Sequence, residues 1–230
     1  MSAQLLEGYS ALEKTAYVSA IASIATADQS ASESEIAYLK NLTRSAELTE
    51  AETAQVLTAA VETNGQGLKA ALDVLKNSEL RFSLVTDLIA FAQSDNDLAQ
   101  PEKTHISAIA TYLEINPAQM EALNEYVRQT VTPPAALPLS EQSEGGWGSL
   151  LSGSGIGQKL QSSGINIGSL AKGLLSFVGP MILGNLLNKG MQGSKAPAGL
   201  NQGGLGSIFG GLSGGKGFSG IGGLLSGLLK

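Results

Sequence analysis

The 230-residue chain has no cysteine and a single histidine. The missing thiols exclude disulfides, thiolate metal sites and a cysteine nucleophile. His105 stands one position before the predicted core residue Ile106, so a solvated helix position is favoured over a general base. The glycine-rich segments follow no strand pattern and contain no Gly-Lys-Ser or Gly-Lys-Thr, which excludes a phosphate-binding loop. The sequence therefore predicts a protein that is not an enzyme.

Acidic residues are absent from the C-terminal part of the chain, and glycine is almost absent from the part before it. Residues 1–144 hold all 20 acidic residues, eight basic residues and three of the 29 glycines, whereas residues 145–230 hold six lysines and the other 26 glycines. Three prolines in residues 132–148, around the border of the two parts, favour an extended spacer there. We therefore predict a helical domain over 1–132, a linker over 133–148 and a Gly/Leu-rich, hydrophobic and basic tail over 149–230.

Strand-like alternation is also missing from the predicted domain, where apolar residues recur at helical spacing instead. Several helix starts carry capping patterns, including Ser10-x-x-Glu13, Thr49-x-x-Glu52 and Asn116-Pro-Ala-Gln119. The fold class predicted is all-α, a compact seven-helix bundle. The predicted helices cover residues 10–27, 33–46, 50–63, 67–76, 79–94, 101–113 and 117–131.

Two acidic patterns are the most informative feature that is present. Asp28 precedes Glu35 by the same spacing at which Asp95 precedes Glu102, so one constant offset converts the first pair into the second. The flanking apolar residues repeat at the same offset, which indicates an internal duplication of about 40 residues. Each Asp ends an apolar stripe and each Glu opens one, so both acids are expected to point inward. The first-copy stripe residues are Tyr17, Ile21, Ile24, Leu39 and Leu42, and their second-copy equivalents are Leu84, Leu88, Phe91, Ile106 and Ile109.

Two interpretations of these acids remain open. Ser32-x-x-Glu35 is a capping box and Asp28 can cap the following helix, so the acids can serve helix capping alone. Alternatively, the four carboxylates form an oxygen-rich site for a divalent cation such as calcium, magnesium or manganese. An EF-hand is excluded, because its sixth and twelfth positions would hold neither the required glycine nor the required glutamate.

The acidic pairs and their flanking Leu-x-x-Leu and Ile-x-x-Ile patterns resemble the TerB family of tellurite-resistance domains over residues 9–131. The resemblance implies a compact seven-helix domain that binds divalent metal and works in bacterial stress-response complexes near the membrane. Carried over position by position, it implies metal ligation by Asp28, Glu35, Asp95 and Glu102.

The tail combines many glycines with leucine, isoleucine and phenylalanine. Its uncharged run between Lys172 and Lys189 is shorter than the ~20 apolar residues needed to span a bilayer. An amphipathic, partly irregular segment of this kind predicts association with an anionic membrane surface or self-association. Its Gly-Pro-Met-Ile-Leu-Gly segment and its composition resemble the YidB-type bacterial proteins of unknown function.

These observations together predict a metal-responsive interaction module that binds a protein partner, a membrane surface or itself through its tail. The alternative is a membrane-active or polymer-forming tail for which the helical domain is only a scaffold. The six dispersed tail lysines lack clustered stacking aromatics, so nucleic acid is not an expected partner. The N-terminus lacks a basic region followed by an apolar one, which predicts a cytoplasmic protein, peripheral to the inner membrane where the tail binds it.

Overall fold

The computed structural model describes residues 5–25, 33–62, 65–93, 100–131 and 155–174. The all-α prediction is confirmed, since no strand occurs among these residues. None of the described helices is long and apolar enough to cross a bilayer. The helices are α1 (Ala11–Ala25), α2 (Glu33–Ser45), α3 (Glu50–Val61), α4 (Gln66–Leu75), α5 (Leu80–Gln93), α6 (Gln100–Tyr112), α7 (Pro117–Val131), α8 (Gly155–Ser162) and α9 (Ile167–Gly173).

The helix starts were predictable because their caps are local. The Ser10 amide donates to Glu13 Oε2 at 2.9 Å, and the Thr49 amide donates to Glu52 Oε2 at 2.7 Å. The third predicted cap, at Asn116, is reciprocal with Gln119, with amide donors at 3.0 and 2.9 Å. Each such pair satisfies backbone amides that the first helical turn leaves without a partner. The predicted ranges accordingly agree with α1 to α7 within two residues at every end.

Two helices form the centre of the domain. α1 and α5 carry apolar residues around most of their circumference, and a helix of that kind is stable in water only when neighbouring helices cover it. α1 packs against α2, α3, α4 and α5, and α5 packs against α4, α6, α7 and α9. The buried side chains of α1 include Tyr17, Val18, Ile21 and Ile24, and those of α5 include Phe82, Leu84, Val85, Leu88 and Ile89.

The internal duplication is longer than the sequence pattern indicated. At the offset that relates Asp28 to Asp95, the bounds of α2 (33–45) coincide with those of α6 (100–112), and the start of α3 at Glu50 coincides with the start of α7 at Pro117. α1 corresponds to α5 to within two residues. The repeat is therefore a three-helix unit, and α4 connects the two copies.

The turn after the second helix of each copy has the same backbone geometry. Glu47 and Glu114, which are equivalent in the two copies, both adopt the left-handed conformation, with φ of 57° and 58°. The amide of Leu48 donates to the Thr43 carbonyl at 2.9 Å, and that of Ile115 donates to the Ala110 carbonyl at 2.9 Å. This is the hydrogen-bond pattern of a helix C-terminus closed by one left-handed residue. The structural duplication thus includes the turns as well as the helices.

The tail contains a third turn of this kind, between α8 and α9. Gly164 is left-handed with φ of 78°, and the Ile165 amide donates to the Leu160 carbonyl at 3.0 Å. The Asn166 side chain then accepts from the amides of Gly168 and Ser169 and caps α9. The α8–α9 pair therefore repeats the hairpin turn that joins α2 to α3 and α6 to α7.

Helices α8 and α9 pack against α7 and α5, and their apolar residues belong to the same core as those of α1 to α7. The Ser83 hydroxyl donates to the Leu170 carbonyl at 3.2 Å, and the Gln119 side-chain amide donates to the Ser163 carbonyl at 3.1 Å. At the rim, Lys159 Nζ lies 2.7 Å from Glu121 Oε1. Part of the predicted tail is thus a component of the domain core. The boundary at residue 132 stays a prediction, and the predicted linker and residues 175–230 lie outside the described residues.

Candidate functional site

The four predicted ligands lie at equivalent places of the two copies. Glu35 is the third residue of α2 and Glu102 is the third residue of α6. Asp28 and Asp95 fall in the connections 26–32 and 94–99, outside the described residues. The side chains of Glu35 and Glu102 also lie outside the described part, so their metal ligation stays a prediction.

The apolar stripes that lead to these acids are buried as predicted wherever their side chains are described. Tyr17, Ile21 and Ile24 are at most 5 % exposed on α1, and Leu84 and Leu88 at most 1 % on α5. On the helices that follow, the four stripe residues Leu39, Leu42, Ile106 and Ile109 are buried as well. Each connection therefore joins two helices whose buried faces fix the direction in which the chain enters and leaves it.

A buried carboxylate that the sequence pattern did not reveal lies on α5. Asp87 is 0 % exposed, and it accepts a hydrogen bond of 2.5 Å from the hydroxyl of Tyr17 on α1. A buried carboxylate is stable only where polar groups replace its hydration. Asp87 is distant from Tyr17 in the sequence, so only its place within the apolar run from Leu84 to Ile89 could have indicated a buried role. This hydrogen bond ties the central helices of the two copies together.

The charge of this carboxylate acts on three buried tyrosines. Burial first, and the negative charge of Asp87 second, raise the pKa of Tyr17 far above its ordinary value. The same two causes in the same order raise the pKa of Tyr38 on α2 and of Tyr126 on α7. Helices from both copies thus contribute to one buried polar centre in which the tyrosines keep their protons.

These shifts predict a loss of stability in alkali. Each tyrosine keeps its proton in the folded state, whereas the unfolded chain releases it above a pH of about 10. The stabilisation is therefore complete below pH 10 and declines above it, by about 1.4 kcal/mol per pH unit for each tyrosine. Denaturant unfolding at pH 9, 10 and 11 measures this decline. Tyr126→Phe should reduce the decline of the free energy of unfolding per pH unit by about the contribution of one tyrosine. An unchanged decline would contradict the raised pKa of Tyr126.

The described residues contain no group of three or more histidine, aspartate or glutamate side chains that could hold a metal ion. Asp73 shows why an exposed carboxylate is not by itself a candidate metal ligand. It accepts from Lys69 at 2.8 Å and from the Tyr112 hydroxyl, and its pKa is lowered chiefly by the hydrogen bond from Lys69. Its oxygens already have cationic and hydroxyl donors, so Asp73 is a matched control for the predicted ligands.

Comparison with known proteins gives one result that bears on function. Residues 14–125 match the family described as tellurite resistance protein TerB. No curated protein and no solved structure matches the chain. The matched range begins in α1 and ends in α7, and it includes both acidic pairs and Asp87.

Proposed function

Residues 14–125 belong to the TerB family, and from that premise we propose that this chain is a non-enzymatic, divalent-cation-binding interaction module of the tellurite-resistance type. Asp28, Glu35, Asp95 and Glu102 are its ligands. The ion is calcium, magnesium or manganese, because carboxylate oxygens are hard ligands that these cations prefer.

One observation carries this proposal: Glu35 and Glu102 occupy the same helical position in the two copies, and the connection before each helix carries an aspartate at the equivalent position, Asp28 or Asp95. Such an arrangement supplies carboxylates from a loop and from a helix, which is the usual composition of an oxygen-rich cation site.

The second copy favours the cation site over helix capping alone. The residue three positions before Glu102 is Ala99, whereas Ser32 stands three positions before Glu35. Alanine has no side-chain oxygen to accept from the helix amides, so the reciprocal capping box available to Ser32 and Glu35 cannot form around Glu102. A capping box therefore does not explain why a glutamate recurs at position 102.

Thermal unfolding tests the proposal. A ligand that binds only the folded state stabilises it by about 2.7 kcal/mol at one hundred times its Kd, which raises the Tm of a chain of this size by about 5–10 °C. We expect millimolar calcium, magnesium or manganese to raise the Tm of the wild type and of Asp73→Asn, but not that of Asp95→Asn. Without metal, Asp95→Asn should be at least as stable as the wild type, because it relieves repulsion between carboxylates. A wild-type Tm that no metal changes would leave capping as the role of these acids.

Residues 175–230 supply the association function in this proposal. They contain no acidic residue, four lysines and many aliphatic residues, and aliphatic surface in water favours burial against lipid, a partner or another copy. The module therefore acts at the periphery of the inner membrane, or in an assembly of its own copies.

Liposome flotation separates these two outcomes. Each lysine near an anionic surface contributes up to about 1 kcal/mol, and salt screens that attraction. We expect the full chain to float with anionic vesicles at low salt and to be released at high salt, whereas neutral vesicles should not carry it. Self-assembly through aliphatic contacts would survive high salt and appear by light scattering without lipid. A chain that neither floats nor assembles would contradict the association function.

A further inference from the structure

An apolar groove of about 420 Å³ lies between α1, α3 and α4, on a face that α8 and α9 do not cover. Small side chains form most of its walls, including Ala54 and Thr58 on α3 and Ala70 on α4. Leu12 stands at its α1 side with 65 % of its surface exposed. A groove whose walls consist of small side chains, with an exposed leucine beside them, can bind an apolar helix at close range.

The docked part of the tail shows which residues this chain uses to bind its own helices. The buried residues of α8 are Ile156, Gly157 and Leu160. In α9, Gly173 packs so closely that a Cβ there would lie 2.6 Å from Ser83 Cβ and 2.8 Å from Leu80 Cδ2. The tail thus binds helices through aliphatic side chains and through glycines that permit close approach.

The C-terminal segment repeats the buried face of α8. Ser154-Gly-Ile-Gly157 recurs as Ser219-Gly-Ile-Gly222, and Leu160 recurs as Leu225 in the same register. The three residues that α8 buries thus have identical counterparts at 221, 222 and 225. Leu224 and Leu228 would extend this face at helical spacing.

We propose that residues 219–230 dock as a helix in the groove between α1, α3 and α4 of the same chain, which leaves residues 175–218 for the association function. The glycines at 222 and 223 would let the segment approach the small side chains of the groove closely, as Gly173 allows α9 to approach Ser83. The segment and residues 175–218 before it contain no acid, and Glu62 lines the groove, so the charges are compatible with docking.

The path of the chain favours docking within one molecule. The Tyr9 hydroxyl donates to the Ser169 carbonyl at 3.0 Å, so α9 lies beside the residues that lead into α1 and towards Leu12. Residues 175–218, which connect α9 to the segment, can reach across a domain of this size, since an extended residue spans about 3.3 Å. A tethered segment has an effective concentration that can approach the millimolar range, above that of a second copy in dilute solution.

The absence of native cysteine allows a direct test by cross-linking the full chain. Ala54→Cys places a thiol at an exposed position of the groove, and Ser226→Cys places one at the edge of the segment's apolar face. The matched control pairs Ser226→Cys with Gln129→Cys, an exposed position on α7. A short bismaleimide is applied to dilute protein in the presence of a chelator, so that the result does not depend on the proposed metal site. Mass spectrometry distinguishes products within one chain from products between chains.

We expect about tenfold more cross-linking within the chain for the Ala54 pair than for the Gln129 pair. Ile221→Asp should reduce the Ala54 product to the control level, whereas Ile208→Asp, outside the segment, should leave it unchanged. Equal yields from the two pairs would overturn the proposal, and so would insensitivity to Ile221→Asp. A product found mainly between chains would overturn docking within one molecule and assign the groove to a second copy.

Discussion

Gly173→Ala is expected to destabilise the fold by about 3 kcal/mol, because the added methyl group would overlap with α5. Its Cβ would lie 2.8 Å from Leu80 Cδ2 and closer still to the Ser83 side chain. Overpacking of this kind costs about 1–3 kcal/mol and occasionally more, since neighbouring helices must separate to relieve it. Denaturant unfolding of the full chain measures the loss.

Gly155→Ala is the matched control for that substitution. It adds the same methyl group at the start of α8, where no atom beyond the adjacent residues and the helix's own backbone lies within 4 Å of the new Cβ. Alanine stabilises a helix relative to glycine by up to about 1 kcal/mol, so this variant should be neutral or slightly more stable. Equal stability of the two variants would show that α9 does not pack on α5 as described.

Tyr17→Phe is expected to destabilise the fold by about 2 kcal/mol. The substitution preserves the ring but leaves the buried Asp87 carboxylate one donor short, and hydrogen bonds to charged groups contribute about 1.5–3 kcal/mol. Its thermal and denaturant midpoints should both fall.

A double-mutant cycle isolates the Tyr17–Asp87 hydrogen bond from other consequences of the substitution. Tyr17→Phe combined with Asp87→Leu removes donor and acceptor together, so the double variant should lose less stability than the sum of the single variants. Additive losses would mean that the hydrogen bond does not couple α1 to α5.

Much of the helical domain was predictable because its signals are local. The Thr49–Glu52 and Asn116–Gln119 caps define helix starts within four residues of sequence, and the stripes around Ile21 and Leu88 define buried faces. The left-handed residues after α2 and α6 escaped prediction because they are glutamates, Glu47 and Glu114, rather than glycines. Their conformation closes the C-terminus of the preceding helix, to whose carbonyls the amides of Leu48 and Ile115 donate.

The role of α8 and α9 escaped prediction for the opposite reason. Gly164 closes α8 and Asn166 caps α9, which are standard signals. In residues 145–230, which hold 26 of the 29 glycines, one glycine at a helix end does not stand out. The packing of Gly173 on Ser83 depends on residues far apart in the chain, as does the pairing of Asp87 with a distant tyrosine. Sequence spacing alone cannot predict such contacts.

The central claim is that the two acidic pairs bind a divalent cation, and calorimetric titration of the full chain tests it most directly. Calcium, magnesium and manganese are titrated in turn into the wild type, the Asp73→Asn control and a variant carrying Asp28→Asn and Asp95→Asn. We expect saturable binding of at least one cation, with one or two sites per chain, to the wild type and the control, and its loss in the double variant. A wild type that binds none of the three, or a double variant that binds as the wild type does, would contradict the account.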